Sequence, residues 1–198
     1  NAVHDGKASA RLLQDANIRE RLNVAKPANL DARIDELTKG LPAADAEIQK
    51  LIDQRAAAFH SSKSDSQRGR LVFQKNCVAC HMVGGQGAHV GPQLDGIGAR
   101  GVPRLCEDIL DPSRNVDAAF RYSTFVLVDG NVIAGILRRE EGQTLTVADS
   151  TGKEVAIDKT KLTRRVESQL SLMPSNFGEV ISGNDFNDLM SYLLSTKQ

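Results

Sequence analysis

Cys77-Val78-Ala79-Cys80-His81 spells C-x-x-C-H. Two thiols two residues apart on one helical turn can each reach a vinyl group of the same porphyrin. The histidine that follows then lies under the iron and offers a neutral imidazole nitrogen as proximal ligand. With three Cys and four His in 198 residues, chance produces such a string in about one chain in a thousand. Two other uses of paired cysteines lack their surroundings. A thioredoxin-like pair wants a βαβ setting, and a four-ligand zinc site wants a second Cys or His pair. The motif therefore predicts covalent attachment of one haem c through Cys77 and Cys80, with His81 on the iron.

Downstream of His81 runs a glycine-rich stretch, Gly84, Gly85 and Gly87, then His89-Val90-Gly91-Pro92-Gln93-Leu94. It lacks the G-x-x-x-x-G-K-[ST] pattern of a phosphate loop. The expectation is a loop wrapping the proximal face of the porphyrin, where backbone must come close. A carbonyl near Pro92 can accept the Nδ1 proton of His81, fixing the ring and leaving Nε2 for iron.

A short helix, Gln67 to Lys75, leads into the motif with Leu71, Val72 and Phe73. Gly69 lies on the face of Phe73, where a missing side chain lets another helix approach. Further upstream, residues 1–62 read as polar-faced helices, with Leu12, Leu13, Ala16 and Leu22 in a first one. Leu30, Ile34 and Leu37 mark a second, ended by Gly40 and Pro42. Ile48, Leu51, Ile52, Arg55, Ala56 and Phe59 form the stripe of a third. These read as packing or connecting helices; His4 and His60 are lone and expected at the surface. Ser61 to Ser66 reads as a linker.

Beyond the loop, Val102 to Leu110 is a helix with Pro103 in its first turn and Asp111-Pro112 at its end. Its apolar face includes Cys106, the third and odd cysteine. Cys106 reads either as a buried small hydrophobe or as an intermolecular disulfide that would make a homodimer. From Tyr122 the period becomes that of strands: Thr124 to Val128, Val132 to Leu137, Thr144 to Val147, Glu154 to Ile157 and Leu162 to Val166. Five short strands suggest a small closed barrel. A closing helix, Asn184 to Leu194, buries Phe186, Leu189, Met190, Leu193 and Leu194.

The iron needs a second axial ligand, and a thioether there raises the potential. Three methionines compete. Met82 adjoins His81 and cannot swing to the opposite face, and Met190 sits on a helical apolar stripe. Met173 precedes Pro174, so its backbone is extended and in a loop. Met173 is favoured, and His89 is the runner-up, giving a bis-histidine site. Arg100, after Gly98, is a candidate partner for a haem propionate or a solvated surface arginine.

These strings together resemble a class I cytochrome c over residues 67–120 and 167–198. In that fold the first and last helices cross, which would set Gly69 and Phe73 against Leu189 and Tyr192. The resemblance is closer to the haem-binding domain at the C-terminus of large exported planctomycete and verrucomicrobial proteins. It rests on Gly91-Pro92-Gln93-Leu94-Asp95-Gly96-Ile97-Gly98, Asp108-Ile109-Leu110-Asp111-Pro112, Arg114-Asn115-Val116-Asp117, Arg139-Glu140-Glu141-Gly142 and Leu172-Met173-Pro174, with a weaker echo at Leu37 to Pro42. It implies electron transfer with Met173 as distal ligand, and an upstream fused dehydrogenase-like region of which residues 1–62 are the tail.

The expected fold is mainly α: a class I cytochrome c fold at 66–120 plus 167–198, a β-barrel-like insertion at 121–166, and a helical N-terminal segment with linker at 1–65. The expected role is an electron-transfer module rather than an enzyme, exchanging electrons with a partner or the fused oxidoreductase. The alternative is a haem-based gas sensor or haem enzyme with an open sixth position. Zero formal net charge gives no bulk attraction to nucleic acid, and no apolar run approaches the 18 residues of a membrane span. Asn1 to Ser9 lack a signal-peptide pattern, but covalent haem attachment occurs outside the cytoplasmic membrane, so an exported, periplasmic location is expected.

Overall fold

The computed structural model describes residues 10–14, 16–39 and 44–196. His4 and the helix-ending Gly40 and Pro42 lie outside the described residues. The chain divides into two compact units, Asn1–Lys50 and Leu51–Gln198. The first contains a 3₁₀ turn at Ala10–Gln14 and helices α1 (Ala16–Ala25) and α2 (Leu30–Thr38). Leu13 and Ile34 are its buried apolar residues, and the Arg19 guanidinium donates to the Leu13 carbonyl at 2.6 Å. Helix α3 (Ala44–His60) contains the division point and delivers Leu51–His60 to the second unit.

In the second unit α4 (Ser66–Asn76) is started by Asp65, whose carboxylate accepts from the amides of Gln67 and Arg68. The chain then forms a hairpin, β1 (Met82–Val83) with β2 (Gln86–Gly87), turned by Gly84 and Gly85, both at positive φ. Helix α5 (Gly101–Leu110) follows and buries Val102, Leu105, Cys106, Ile109 and Leu110. After the strands come the short α6 (Phe177–Val180) and α7 (Gly183–Ser195), capped by Ser182.

Helices α4 and α7 cross at Gly69. A Cβ there would lie 2.5 Å from the Asp188 carbonyl carbon and 2.8 Å from Tyr192 Cβ, so only glycine permits the approach. Phe73 and Tyr192 meet beside it with ring centroids 5.5 Å apart. Asp188, buried in α7, accepts two bonds from the Arg68 guanidinium (2.7 and 3.0 Å) and one from the Asp65 amide (2.7 Å). One carboxylate thus ties the start of α4 to the middle of α7.

The strand region corrects two expectations. The chain is not mainly α, because it carries an antiparallel five-stranded sheet as well as the helices. Its strands are β3 (Arg121–Leu127), β4 (Val132–Glu141), β5 (Thr144–Ala148), β6 (Glu154–Asp158) and β7 (Leu162–Ser171). Both ten-residue strands outrun the expected limits. β4 continues through Arg138, Arg139, Glu140 and Glu141, and β7 through Glu167 and Ser168. Polar extensions of this kind are invisible to hydrophobic alternation.

Nor is the sheet a closed barrel. Its order is β6-β5-β4-β3-β7, so β6 and β7 are edges. Strand β4 pairs with β3 up to Gly135 and with β5 from Ile136 onward. A Cβ on Gly135 would collide with Val147 Cγ1 and the Ala148 carbonyl, so β4 and β5 approach closely where β4 has no side chain. Phe125, Leu145, Val147 and Ile157 form one buried cluster. Tyr122, Ile136 and Ala148 form another with Val90 of the loop that follows the cysteine motif.

Candidate functional site

The C-x-x-C-H stretch forms one further turn after α4 ends at Asn76. The amides of Cys80 and His81 both donate to the Cys77 carbonyl, at 3.0 and 2.9 Å, after Cys77 itself has bonded back to Phe73. The following loop is laced to it: Ala88 to the Val78 carbonyl, Val90 and Gly91 to that of Cys80, and Leu94 to that of Met82. Four backbone bonds thus set residues 88–94 against the imidazole.

His81 Nδ1 lies 2.9 Å from the Pro92 carbonyl oxygen, which accepts its proton. The ring is oriented by that bond and its Nε2 is left over. Gly91 is packed on the same ring; a Cβ there would sit 2.6 Å from Cε1 and 2.9 Å from Nδ1. Burial holds the His81 pKa below its ordinary value, against the opposing pull of the Pro92 bond, so the imidazole is neutral. Burial, with Cys80 nearby, pushes the Cys77 thiol up to about 12. Burial, with Asp149 nearby, raises that of Cys80.

These groups line a cleft of about 340 Å³ whose surface is mostly apolar. Cys77, Cys80, His81, Pro92, Arg100 and Met173 all border it, so the residues singled out in the sequence come together at one place. Met173 arrives from the far end of β7. Its amide donates to Ser171 Oγ at 3.1 Å, and the Ser171 amide donates to Ser113 Oγ at 3.3 Å. The other candidates for an axial ligand stand elsewhere. Met190 is fully buried in the core, His89 is exposed, and neither borders the cleft. Arg100 lies at the rim, its guanidinium 2.7 Å from Asp108 Oδ2, so it presents an ion pair rather than a lone cation. Cys106 is wholly buried, with its thiol pushed up to about 11 by that burial. That burial supports the reading of Cys106 as a small core hydrophobe rather than as a partner in an intermolecular disulfide.

Three contributors escaped the sequence reading. Gly152 in the β5–β6 turn packs on the cysteine motif, where a Cβ would collide with the Ala79 carbonyl oxygen; Cys80 Sγ is 4.0 Å from the Ser150 carbonyl. The sheet thereby covers the Cys80 side of the site. Gly91 belongs to the loop expected to wrap the proximal face, but its packing on the His81 ring itself is a contact the motif alone does not name. Arg55 stood inside an apolar helical stripe, an anomaly that was itself the signal. Its guanidinium donates to the carbonyls of Gly178 and Ile181.

Two thiols, one neutral imidazole and one thioether around an apolar cleft are the donor set of a covalently held haem, and the lining suits the porphyrin's faces. Among the described residues no cluster of His, Cys, Asp or Glu forms another metal site. No helix among them is long and apolar enough to cross a membrane. The cytochrome c family model matches residues 66–117. A cytochrome c-553-like protein of Synechocystis sp. (strain ATCC 27184 / PCC 6803 / Kazusa) is 45% identical over 38 residues, which are 19% of this chain. That match spans about a third (35%) of the relative's own length. Residues 66–117 thus carry a c-type cytochrome domain, a family whose cofactor is covalently bound haem c.

Proposed function

We propose that the haem is attached through Cys77 and Cys80, ligated by His81 and Met173, and cycled by a redox partner or an upstream fused dehydrogenase-like region. The observation that carries this reading is the convergence of both cysteines, His81 and Met173 on one cleft, from stretches separated by the whole sheet. The haem iron supplies a one-electron couple. The chain's residues do the rest. Pro92 holds the imidazole by its Nδ1 proton, the apolar walls exclude water, and the thioether favours the reduced state. Arg100, which borders the cleft and is paired with Asp108, would offer its remaining donors to a propionate.

The domain division at 66–120 plus 167–198 with an insertion at 121–166 belongs to this proposal. So does likeness to the C-terminal haem domain of exported planctomycete and verrucomicrobial proteins, and with it an extracytoplasmic, periplasmic site of action. The test is the ferric spectrum of the protein and of Met173→Ala. A thioether-to-iron charge-transfer band that disappears on substitution is expected, with carbon monoxide leaving the reduced spectrum of the unsubstituted protein unchanged. A five-coordinate spectrum, or a strong carbon monoxide shift, overturns the electron-carrier ligation in favour of a sensor or haem enzyme.

A further inference from the structure

Behind the Met173 side of the cleft stands α3. The Arg55 guanidinium donates from one nitrogen to the Gly178 carbonyl at 3.1 Å and the Ile181 carbonyl at 3.3 Å, and lies 5.2 Å from the centroid of the Phe186 ring. Two glycines make room for this helix. A Cβ on Gly178 would be 2.6 Å from Leu51 Cδ2, and one on Gly183 would be 2.9 Å from Arg55 Nη1. The fit is therefore close at two independent points. The carbonyls it reaches belong to the end of α6, a four-residue helix too short to satisfy its own terminal groups. Phe177, next to the first of those contacts, and Ile181, which makes the second, border the cleft together with Met173 and Pro174.

We infer that Arg55 is a positioning residue for the distal wall of the haem site: it pins the 177–181 segment from behind and thereby holds Met173 in place. The inference rests on the ligation proposed above. An arginine suits the task because its charge is permanent and its guanidinium is planar, so one nitrogen can reach two carbonyls while the face of the group lies on an aromatic ring. A lysine at this place keeps the charge and loses the planar face. Helix α3 is then part of the redox site, although it precedes the cysteine motif and lies outside the family-matched residues.

The test uses imidazole as a competitor for the sixth position, followed by loss of the thioether charge-transfer band in the ferric holoprotein. Arg55→Ala is expected to bind imidazole about tenfold more tightly than the unsubstituted protein, the scale set by losing charge-assisted bonds that hold the bound thioether. Arg55→Lys is expected to fall between them, and it decides the matter should Arg55→Ala not fold. Gly130→Ala, which strains an exposed turn of the sheet at positive φ and touches neither helix nor cleft, serves as the control and should leave imidazole affinity unchanged. Unchanged affinity in both Arg55 variants overturns the inference, as does an equal rise in Gly130→Ala. Absence of the charge-transfer band in the unsubstituted protein overturns Met173 ligation itself, a result distinct from the failure of Arg55 alone.

Discussion

Substituting Gly69 by Ala tests the crossing on which the cytochrome domain is built, and the sign of the effect is informative. Gly69 is inside α4, where alanine is favoured by about 0.8–1.0 kcal/mol through helix propensity alone. If α4 and α7 did not touch at this residue, Gly69→Ala would stabilise the protein by about that amount. The structure requires the opposite. The new Cβ would lie 2.5 Å from the Asp188 carbonyl carbon and 2.8 Å from Tyr192 Cβ, against an ordinary carbon–carbon separation of about 3.5–4.0 Å.

The obstacle is backbone, so no rotamer change relieves it and the helices must part by about 1 Å. That opening loosens Phe73, Leu189 and Leu193, all buried at the crossing, and the Asp188 bonds to Arg68 and Asp65. Overpacking of this type costs about 3 kcal/mol at the upper end of its usual range. After the propensity gain, the net loss is about 2 kcal/mol, or a fall in Tm of roughly 5–8 °C. Guanidinium unfolding of the ferric holoprotein, followed by far-ultraviolet circular dichroism and by the haem band, measures it. Gly69→Val should be worse, since a branched side chain adds bulk at the same point. A Gly69→Ala protein as stable as the parent, or more stable, refutes the close crossing.

Gly152 and Gly130 share a φ of +83°, but only Gly152 has a neighbour in the way, the Ala79 carbonyl. Alanine at Gly130 should cost about 1 kcal/mol of backbone strain and at Gly152 about 2–4 kcal/mol, so the difference in denaturant midpoints reads the docking of the β5–β6 turn; equal losses argue against that contact. Arg68 first, and then the Asp65 amide, hold the Asp188 carboxyl below its usual range. A carboxylate with a depressed folded pKa contributes fully above the unfolded value near about 4, and its contribution fades as pH falls through the folded one. Asp188→Asn should therefore be less stable at pH 7 and show a shallower loss below about pH 4; a parallel acid limb in the two proteins contradicts the pairing. Cys106, with its thiol raised to about 11, should resist thiol reagents until the protein unfolds, and non-reducing gels should show monomer. Rapid labelling under native conditions, or a reducible dimer band, contradicts its burial.

The parts of the site that were legible in the sequence are those encoded locally. C-x-x-C-H sits on one helical turn, and the Pro92 carbonyl follows eleven residues later in a loop whose glycines demand a close approach. The crossing was legible for a different reason: a glycine inside a short helix beside Phe73 needs an explanation, and an approaching helix supplies one. The strands were found because their apolar residues alternate. Their union was misjudged because closure depends on whether β6 meets β7, a long-range event that no local pattern records. Arg55 shows the same limit. Its carbonyl partners lie 123 and 126 residues away, and only its position in an apolar stripe hinted at a buried task.

The sheet explains how Met173, the distal ligand of the proposed site, can reach the cleft so far along the chain from His81. Arg121 pairs with Ser171, so the first residue of β3 and the last of β7 are partners in the sheet. Antiparallel partners lie about 5 Å apart, and the rest of the chain therefore sees the whole sheet as a short loop. Met173 follows that closing pair by two residues, so its approach to the cleft is set by the sheet's register. A slip of one residue in β3–β7 pairing would turn the departing chain to the other face. The irregularity between Arg121 and Ser123 lies in the same pairing, next to the exit. The sheet is anchored a second time where Gly152 meets Ala79 and where Tyr122, Ile136 and Ala148 pack with Val90. A sheet fixed at its neck and again at its tip is not a tethered spacer. It packs on the cysteine motif beside Cys80 while its neck brings Met173 to the cleft.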